Sequence, residues 1–340
     1  MEKYNVKEII DKKVWEEFNL KNDIQSFLQS WSWGEVNKNT GNAIFRCGIY
    51  TKSKLVGICL LIEQRAKRGF HYIIPVGPVI DFNDKELVNY TLNFIKDFAT
   101  GKGAWFVRLR PGIYDSSDKY ELFASFGFKP APMFLHGENT LILDIEKSNE
   151  LLLAGMRKNT RHAIRKSLKE GFTFSISKNL SDLKMLMDLQ EETAKRHKFV
   201  KFNDKIFSEE MKAFLADDQI LFCICKKGKE VLAVALIVFY KKTAFYHYSG
   251  STNASRKTNA SYFLQWNIIQ EAKERGLKYY DFWGIAPTDN PKHRFAGVTT
   301  FKMGFGGTKV NWVHALDLPI SSFYWVTFLF ENVRKAIRHL

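Results

Sequence analysis

The chain has 340 residues, 45% hydrophobic and 15% aromatic, which gives enough apolar mass for two ordinary domains and excludes a disordered polyelectrolyte. It carries 51 Lys and Arg against 36 Asp and Glu, a formal +15 that suits a nucleic acid, an acidic membrane surface or a phosphorylated substrate without choosing among them. Four cysteines are too few for a disulfide-built fold of this length.

From the N-terminus, MEKYNVKEIIDKKVWEEF has no continuous apolar segment, so no secretory signal is expected. Val6–Asn19 carries Ile9, Ile10 and Val14 at helical spacing, and Asp23–Gln29 reads as a short second helix. Ala43–Tyr50 and Leu55–Gln64 are strands across the turn Lys52-Ser53-Lys54, and His71–Ile74 is a third strand ending at Pro75-Val76-Gly77-Pro78. Asp84–Ala99 is an amphipathic helix closed by Gly101 and Gly103, and Ala104–Leu109 is a buried strand. The second half repeats this order: strands Ile220–Lys226, Val231–Tyr240 and Thr243–Tyr248, the polar loop Gly250–Asn259, helix Ala260–Arg275 and strand Tyr279–Trp283. Landmarks recur about 175 residues apart, Lys54 with Lys229, Tyr72 with Tyr246 and Trp105 with Tyr280. The expectation is an α/β fold of two similar mixed domains, 1–145 and 146–317, followed by a C-terminal helical segment, 318–340. Cys223 and Cys225, two apart in an apolar run, share one strand face and read as packing.

Residues 155–171 hold six positive charges and one negative. On a helix spanning 155–170, Arg157, Arg161 and Arg165 form a basic stripe, with Lys158 and Lys166 beside it and Met156, Ala163, Ile164 and Leu168 opposite. With no acid spaced to pair with Arg157, Arg161 or Arg165 within the helix, the stripe points to phosphates. The loop 251–259 sets Arg256 and Lys257 just before a helix, a place where backbone N–H groups can face an anion. Asp281, inside Tyr279-Tyr280-Asp281-Phe282-Trp283, is either hydrogen-bonded structurally or aimed into a cleft, because an unpaired buried carboxylate is costly. Gly304-Phe305-Gly306-Gly307 reads as a turn between two strands, not a phosphate loop, since no Lys-Ser/Thr follows it. Histidines lack metal-ligand spacing and hydrolase, nucleotide-loop and dinucleotide signatures are absent, so neither metal nor cofactor is expected.

Tyr246-His247-Tyr248-Ser249-Gly250-Ser251, Ala260 with Leu264-Gln265-Trp266, Tyr280-Asp281-Phe282-Trp283-Gly284 and Phe301-Lys302-Met303-Gly304-Phe305-Gly306-Gly307 together resemble the Fem-type aminoacyltransferases. Gln29-Ser30-Trp31-Ser32-Trp33-Gly34, Gly77-Pro78 and Arg157–Lys166 fit the same pattern, so the resemblance runs over roughly residues 25–317. It implies tandem acetyltransferase-like domains with mainly antiparallel mixed sheets. The implied activity is transfer of an amino acid, a small one such as Gly, Ala or Ser, from aminoacyl-tRNA to the stem peptide of a peptidoglycan precursor. Residues 181–220 hold only ordinary helices, so the chain resembles the compact members without a helical arm, and the acceptor is either UDP-linked or lipid-linked. The lysine of the family's Phe-Lys stretch corresponds to Lys302, expected to be catalytic with Asp281 beside it. Tyr246, Tyr248, Trp33, Lys38 and Arg196 are the candidate acceptor-binding residues. Where compact members place an acid near the end of the first domain's last strand, Arg108-Leu109-Arg110 stands here, which argues against a carboxylate base at that point.

No covalent nucleophile is needed, because the donor ester is already activated and the acceptor is an amine. An acyl-CoA-dependent N-acyltransferase is the competing reading, weakened by the absence of a glycine-rich pantetheine-pyrophosphate loop; a non-catalytic RNA-binding protein is another. A cytoplasmic monomer is expected. Phe323, Trp325, Val326, Phe328, Leu329 and Phe330, followed by Arg334, Lys335 and Arg338, suit either the inner face of the membrane or docking on the second domain.

Overall fold

The computed structural model describes residues 3–66, 69–197 and 203–338. A strand, β1 (Tyr4–Glu8), stands where the N-terminal helix was expected to begin. The Asp11 carboxylate explains the shift: it accepts from the N–H groups of Lys13 (2.7 Å) and Val14 (3.4 Å), so α1 (Lys12–Lys21) can start only after it. The expected helix at 23–29 does not form. The Gln29 side chain is committed to bridging, accepting from Leu60 N (2.8 Å) and donating to Pro75 O (2.7 Å), and the helix begins after the Ser30 cap as α2 (Trp31–Asn39).

The chain continues through β2 (Ile44–Thr51), β3 (Lys54–Ala66), β4 (Gly69–Pro75), α3 (Lys85–Gly101), β5 (Phe106–Arg110), α4 (Ser117–Ser125) and β6 (Lys129–Pro130). Asp84 caps α3, and Leu87, Val88, Leu92, Ile95 and Ala99 bury its inner face. Then follow β7 (Asn139–Asp144), α5 (Asn149–Gly155), α6 (Lys158–Ser167), β8 (Phe172–Ser177), α7 (Leu183–His197), α8 (Asp204–Leu215), β9 (Ile220–Lys227), β10 (Glu230–Tyr240) and β11 (Thr243–Ser251). The last elements are α9 (Ala260–Glu274), β12 (Tyr279–Gly284), α10 (Ala296–Met303), β13 (Thr308–Asn311), β14 (Leu316–Pro319) and α11 (Tyr324–Arg338).

The strands form two seven-stranded sheets, β1-β2-β3-β4-β5-β14-β6 and β8-β9-β10-β11-β12-β7-β13, whose orders correspond position by position. In each the fourth and fifth strands are parallel, β4 with β5 and β11 with β12, in an otherwise mainly antiparallel ladder. The duplicated element order expected from the sequence is therefore present. The sixth position is filled from different places in the chain. β7 joins the second sheet, burying Leu141 and Leu143 there, and β14 returns to the first, burying Leu316 and Leu318. The two units are consequently 1–138 with 311–340, and 139–310, instead of the contiguous 1–145 and 146–317. Short apolar alternations mark β7 and β14 as strands but carry no sign of which sheet they complete.

α11 docks on the first unit, not the second. Arg108 on β5 makes a bidentate pair with Asp317 on β14 (2.7 and 2.8 Å) and reaches Glu331 on α11 (2.7 Å), all three buried. In the second unit Cys223 and Cys225 lie buried on one face of β9 within the core, as their spacing indicates.

Candidate functional site

The parallel pairs of the two sheets differ in length. β4 and β5 pair from His71/Phe106 through Pro75/Arg110. β11 and β12 pair only from Thr243/Tyr279 to Phe245/Asp281, although β11 runs on to Ser251 and β12 to Gly284. Beyond Phe245 and Asp281 the two strands part, and Asp281, Lys302 and Tyr246 lie there.

Asp281 is 6% exposed, and its Oδ1 accepts from the Thr140 hydroxyl and from Trp283 N–H (2.7 Å). Trp283 takes φ 62°, a left-handed conformation uncommon for a bulky residue, and the β7–β12 register breaks between Asp281 and Gly284. The carboxylate thus anchors the turn that ends the ladder, which is the hydrogen-bonded alternative for Asp281.

Lys302 lies in the last turn of α10, so Gly304–Gly307 connects a helix to β13 instead of joining two strands. Those glycines are packing devices: Gly306 and Gly307, both at positive φ, let the backbone lie against the carbonyls of Gly155 and Ile142, where a Cβ would collide. Thr299 Oγ1 accepts from Ala286 N (2.8 Å), fastening α10 to the exit of β12. This brings the Lys302 ammonium to Gly284 O (2.7 Å) and 6.0 Å from the Tyr246 ring centre. Lys302 is 7% exposed and makes no ion pair among the described residues. Burial pushes its pKa down from 10.5 to about 8, with the Asp281 charge resisting the fall.

Tyr246 and Tyr248 do not share a face, despite their spacing. Leu236 pairs with Tyr248 and Ile237 with Tyr246, so His247 is an extra residue, a bulge. Tyr246 packs against the core cluster that includes Phe263 and Leu264 of α9, and Tyr248 meets Phe207 of α8 edge to face. Burial raises the Tyr246 hydroxyl to about 12 and also pushes up the Tyr248 hydroxyl. His247 lies on the α8 side, its Nδ1 2.7 Å from Glu210 Oε1, with the Trp283 ring edge-on at 5.0 Å. Glu210 is fully buried and its Oε2 has no hydrogen-bond partner among the described residues. This acid–imidazole pair was missed in the sequence: His247 stands inside the quoted motif, but Glu210 is 37 residues away in an ordinary amphipathic helix.

The basic stripe is partly structural. Arg161 Nη1 caps the end of α5, donating to the carbonyls of Leu153 (3.2 Å), Ala154 (3.4 Å) and Met156 (3.4 Å), and Arg157 Nη1 donates to Thr300 O (3.2 Å). Lys158, Arg165, Lys166 and Lys169 are exposed. Thr160, Ala163, Ile164 and Ser167 form the inner face of α6, with Met156 just ahead of it; Leu168 is outside at 58%. Arg157 caps α6 and Lys158 opens it with no acid in the first turn, so positive charge sits at the end of the helix dipole that disfavours it. The proposed anion loop is already occupied: Glu192 accepts from Asn253 N (3.1 Å), and Glu170 accepts from Asn259 Nδ2 (2.7 Å) and N (3.4 Å). Lys257 is exposed beside it; the side chain of Arg256, like that of Arg196 on α7, lies outside the described residues.

In the first unit, Trp33 is on α2, not in a loop, and is 4% exposed against Phe27 and His136. Lys38, on the last turn of α2, is exposed. Gly34 packs under the Arg46 guanidinium, which stacks on Trp31 (3.6 Å) and bonds Glu35 (2.8 Å). The Gln29–Gly34 motif therefore builds the domain, and Trp33 serves packing there.

Two sheets of the same strand order, each with one parallel pair, define a tandem acetyltransferase-like protein. The fold matches the crystal structure of FemX (TM-score 0.81, 19% identity, 96% of this chain and 100% of that one). It also matches a tandem GNAT protein from the clavulanic acid biosynthesis pathway (TM-score 0.62, 7% identity, 94% and 99%). In sequence the chain is 21% identical over 356 residues to the lipid II:glycine glycyltransferase of Staphylococcus aureus (strain MRSA252), covering 82% of this chain and 84% of that one. The FemAB family model matches residues 10–122 and 223–332, and the chain belongs to the FemAB family. It is an aminoacyltransferase, tRNA-dependent, acting on a peptidoglycan precursor.

Proposed function

We propose that the chain transfers a small amino acid, glycine, alanine or serine, to the stem-peptide amine of its precursor, with Lys302 at the reacting ester. The observation that carries this is a buried ammonium with, among the described residues, a single hydrogen bond, to Gly284 O, beside the parted ends of β11 and β12. The acceptor amine attacks the ester carbonyl carbon. A C–N bond forms, the C–O bond to the ribose breaks, and the proton lost by the amine ends on the ribose oxygen. The carbonyl oxygen gains negative charge on the way, and a poorly solvated ammonium aimed at it stabilises that charge more than water would. Asp281 acts by holding the Trp283 turn that shapes the opening, and Tyr246 by walling the ammonium.

Lys158, Arg165, Lys166 and Lys169, the exposed cations of the basic stripe, are the proposed contacts for tRNA phosphates; Lys38 and Arg196 are proposed for acceptor phosphates. The small-residue reading rests on the resemblance and on relatives named as glycyltransferases. Contact with the inner membrane face belongs to the lipid-linked form of the same reading. The test incubates the protein with separately charged glycyl-, alanyl- and seryl-tRNA and with UDP-linked or lipid-linked precursor, reading product mass. A product one small residue heavier is expected; no mass gain with any donor and acceptor pair refutes the reading.

A further inference from the structure

The polarity of α11 is inverted relative to a helix docked on a soluble core. Its inward residues are Tyr324, Thr327 and Glu331, each under 5% exposed. Outward are Trp325 (48%), Val326 (63%), Leu329 (66%), Phe330 (52%), Val333 (51%) and Ile337 (73%), with Phe323 (58%) just ahead. Positions 326, 330, 333 and 337 follow helical spacing, so this is one continuous stripe and not scattered exposure.

The buried ion cluster explains the orientation. Glu331 is fixed on Arg108, which also holds Asp317, and Tyr324 donates its hydroxyl to Asp317 (3.4 Å). Turning the helix to bury its apolar stripe would leave Arg108 and Asp317 short of their partner in a water-poor place, and buried charges tolerate that badly. Pairing therefore decides which face goes in, and the apolar face is left outside.

The charges around the stripe indicate what covers it. The one acid of α11 is Glu331, turned inward; Lys335 is exposed, and the Lys129 ammonium lies 4.9 Å over the Trp325 ring. A second copy would bring another chain of formal +15 against the same cationic rim, whereas an anionic lipid surface complements it. We propose that the outward face of α11, led by Phe323, seats on an anionic phospholipid bilayer as an interfacial helix, apolar stripe among the acyl chains and lysines at the headgroups. No helix among the described residues is long and apolar enough to cross a membrane, so the contact is peripheral. The assignment deepens the membrane side of the proposed function and rests on that reading for its purpose.

The experiment is flotation of the full chain with phosphatidylglycerol vesicles and with phosphatidylcholine vesicles, in parallel with sedimentation velocity. The parent should float with the anionic vesicles. Leu329→Asp/Val333→Asp, at exposed positions, should partition at least about tenfold more weakly. Lys335→Glu should lose about fivefold on phosphatidylglycerol and little on phosphatidylcholine. All variants should keep parental transfer to a UDP-linked acceptor, so a failure of docking is distinguishable from a failure of the transfer reading. Equal flotation of parent and double variant, or no flotation of the parent, overturns the proposal. A parental dimer that the double substitution splits overturns it too, in favour of a second copy as the cover.

Discussion

Lys302→Met keeps the length of the side chain and removes its charge, which separates a catalytic lysine from a structural one. Holding the ammonium buried with a pKa of about 8 instead of 10.5 costs the folded state about 3 kcal/mol. Against that stands one charge-assisted hydrogen bond to Gly284 O, worth about 1.5–3 kcal/mol. The two nearly cancel, so Lys302→Met should melt no lower than the parent. Transfer should nevertheless fall about 10²-fold, the scale for loss of one oxyanion-stabilising group. The pH dependence has a definite sign. A lysine whose folded pKa lies below its unfolded one is penalised fully below about 8, and the penalty fades as pH rises towards 10.5. The parent should therefore gain stability relative to Lys302→Met across that window, while its transfer rate falls on the alkaline side of 8. Lys302→Arg should keep a small rate without that alkaline limb, because guanidinium stays charged. Single-turnover transfer and thermal melts from pH 7 to 10.5 measure all of this. Parental turnover in Lys302→Met, or melting profiles of the two proteins that stay parallel across the window, would refute the reasoning.

Asp281→Ala should unfasten the Trp283 turn and cost about 1–3 kcal/mol in a denaturant melt; Asp281→Asn, which can still accept from Trp283 N–H, should lose less than half of that and keep most activity. Ala at Arg165, Lys166 and Lys169 together should weaken tRNA binding alike for different tRNAs and flatten the log K against log salt slope by about 2–3. Arg161→Ala should instead lower stability by about 1 kcal/mol, having left the carbonyls at the end of α5 without their cap, and an unchanged melt would reject that role. His314 sits with Nδ1 2.5 Å from Glu138 Oε2 and Nε2 2.8 Å from Ala131 O; burial alone would lower its pKa from 6.5, but the Glu138 contact raises it. Its contribution to stability should be complete below pH 6.5 and disappear as pH rises through the higher folded value, and in His314→Gln that part of the profile should be flat.

The repeat was legible because the strands of each half carry unbroken apolar runs and their turns carry Lys and Gly: β2, β3, β9 and β10 lie within a few residues of where their patterns put them. Pairing partners were not legible. The β7 and β14 exchange depends on which exposed edge each strand meets, and a six-residue and a four-residue strand carry no address for it. Lys302, Asp281 and Tyr246, drawn from separate stretches of the motif, lie near one another in the fold. The faces of Tyr246 and Tyr248 were not legible, because a single bulged residue reverses the face of everything after it. The anion loop failed for a related reason: Glu170 and Glu192 take its donors from 89 and 61 residues away, and no local pattern announces such a partner.

One arrangement of strands has been put to two uses. In the first unit Arg108 faces Asp317 directly across the β5–β14 ladder, Glu331 completes the cluster, and the fifth and sixth strands stay joined over their shared length. Buried charge there closes the sheet and fixes α11. In the second unit the corresponding ladder between β12 and β7 breaks after Asp281, and the carboxylate accepts from a hydroxyl and a backbone N–H. Lys302 is left close by without an ion-pair partner among the described residues, in surroundings that lower its pKa. A buried cation with no acid of its own is a standing cost unless an anion visits it. The proposed catalytic role follows from that asymmetry: in the first unit Arg108, Asp317 and Glu331 satisfy one another, and in the second Lys302 is left to be satisfied by the oxygen that gains charge as the ester is attacked.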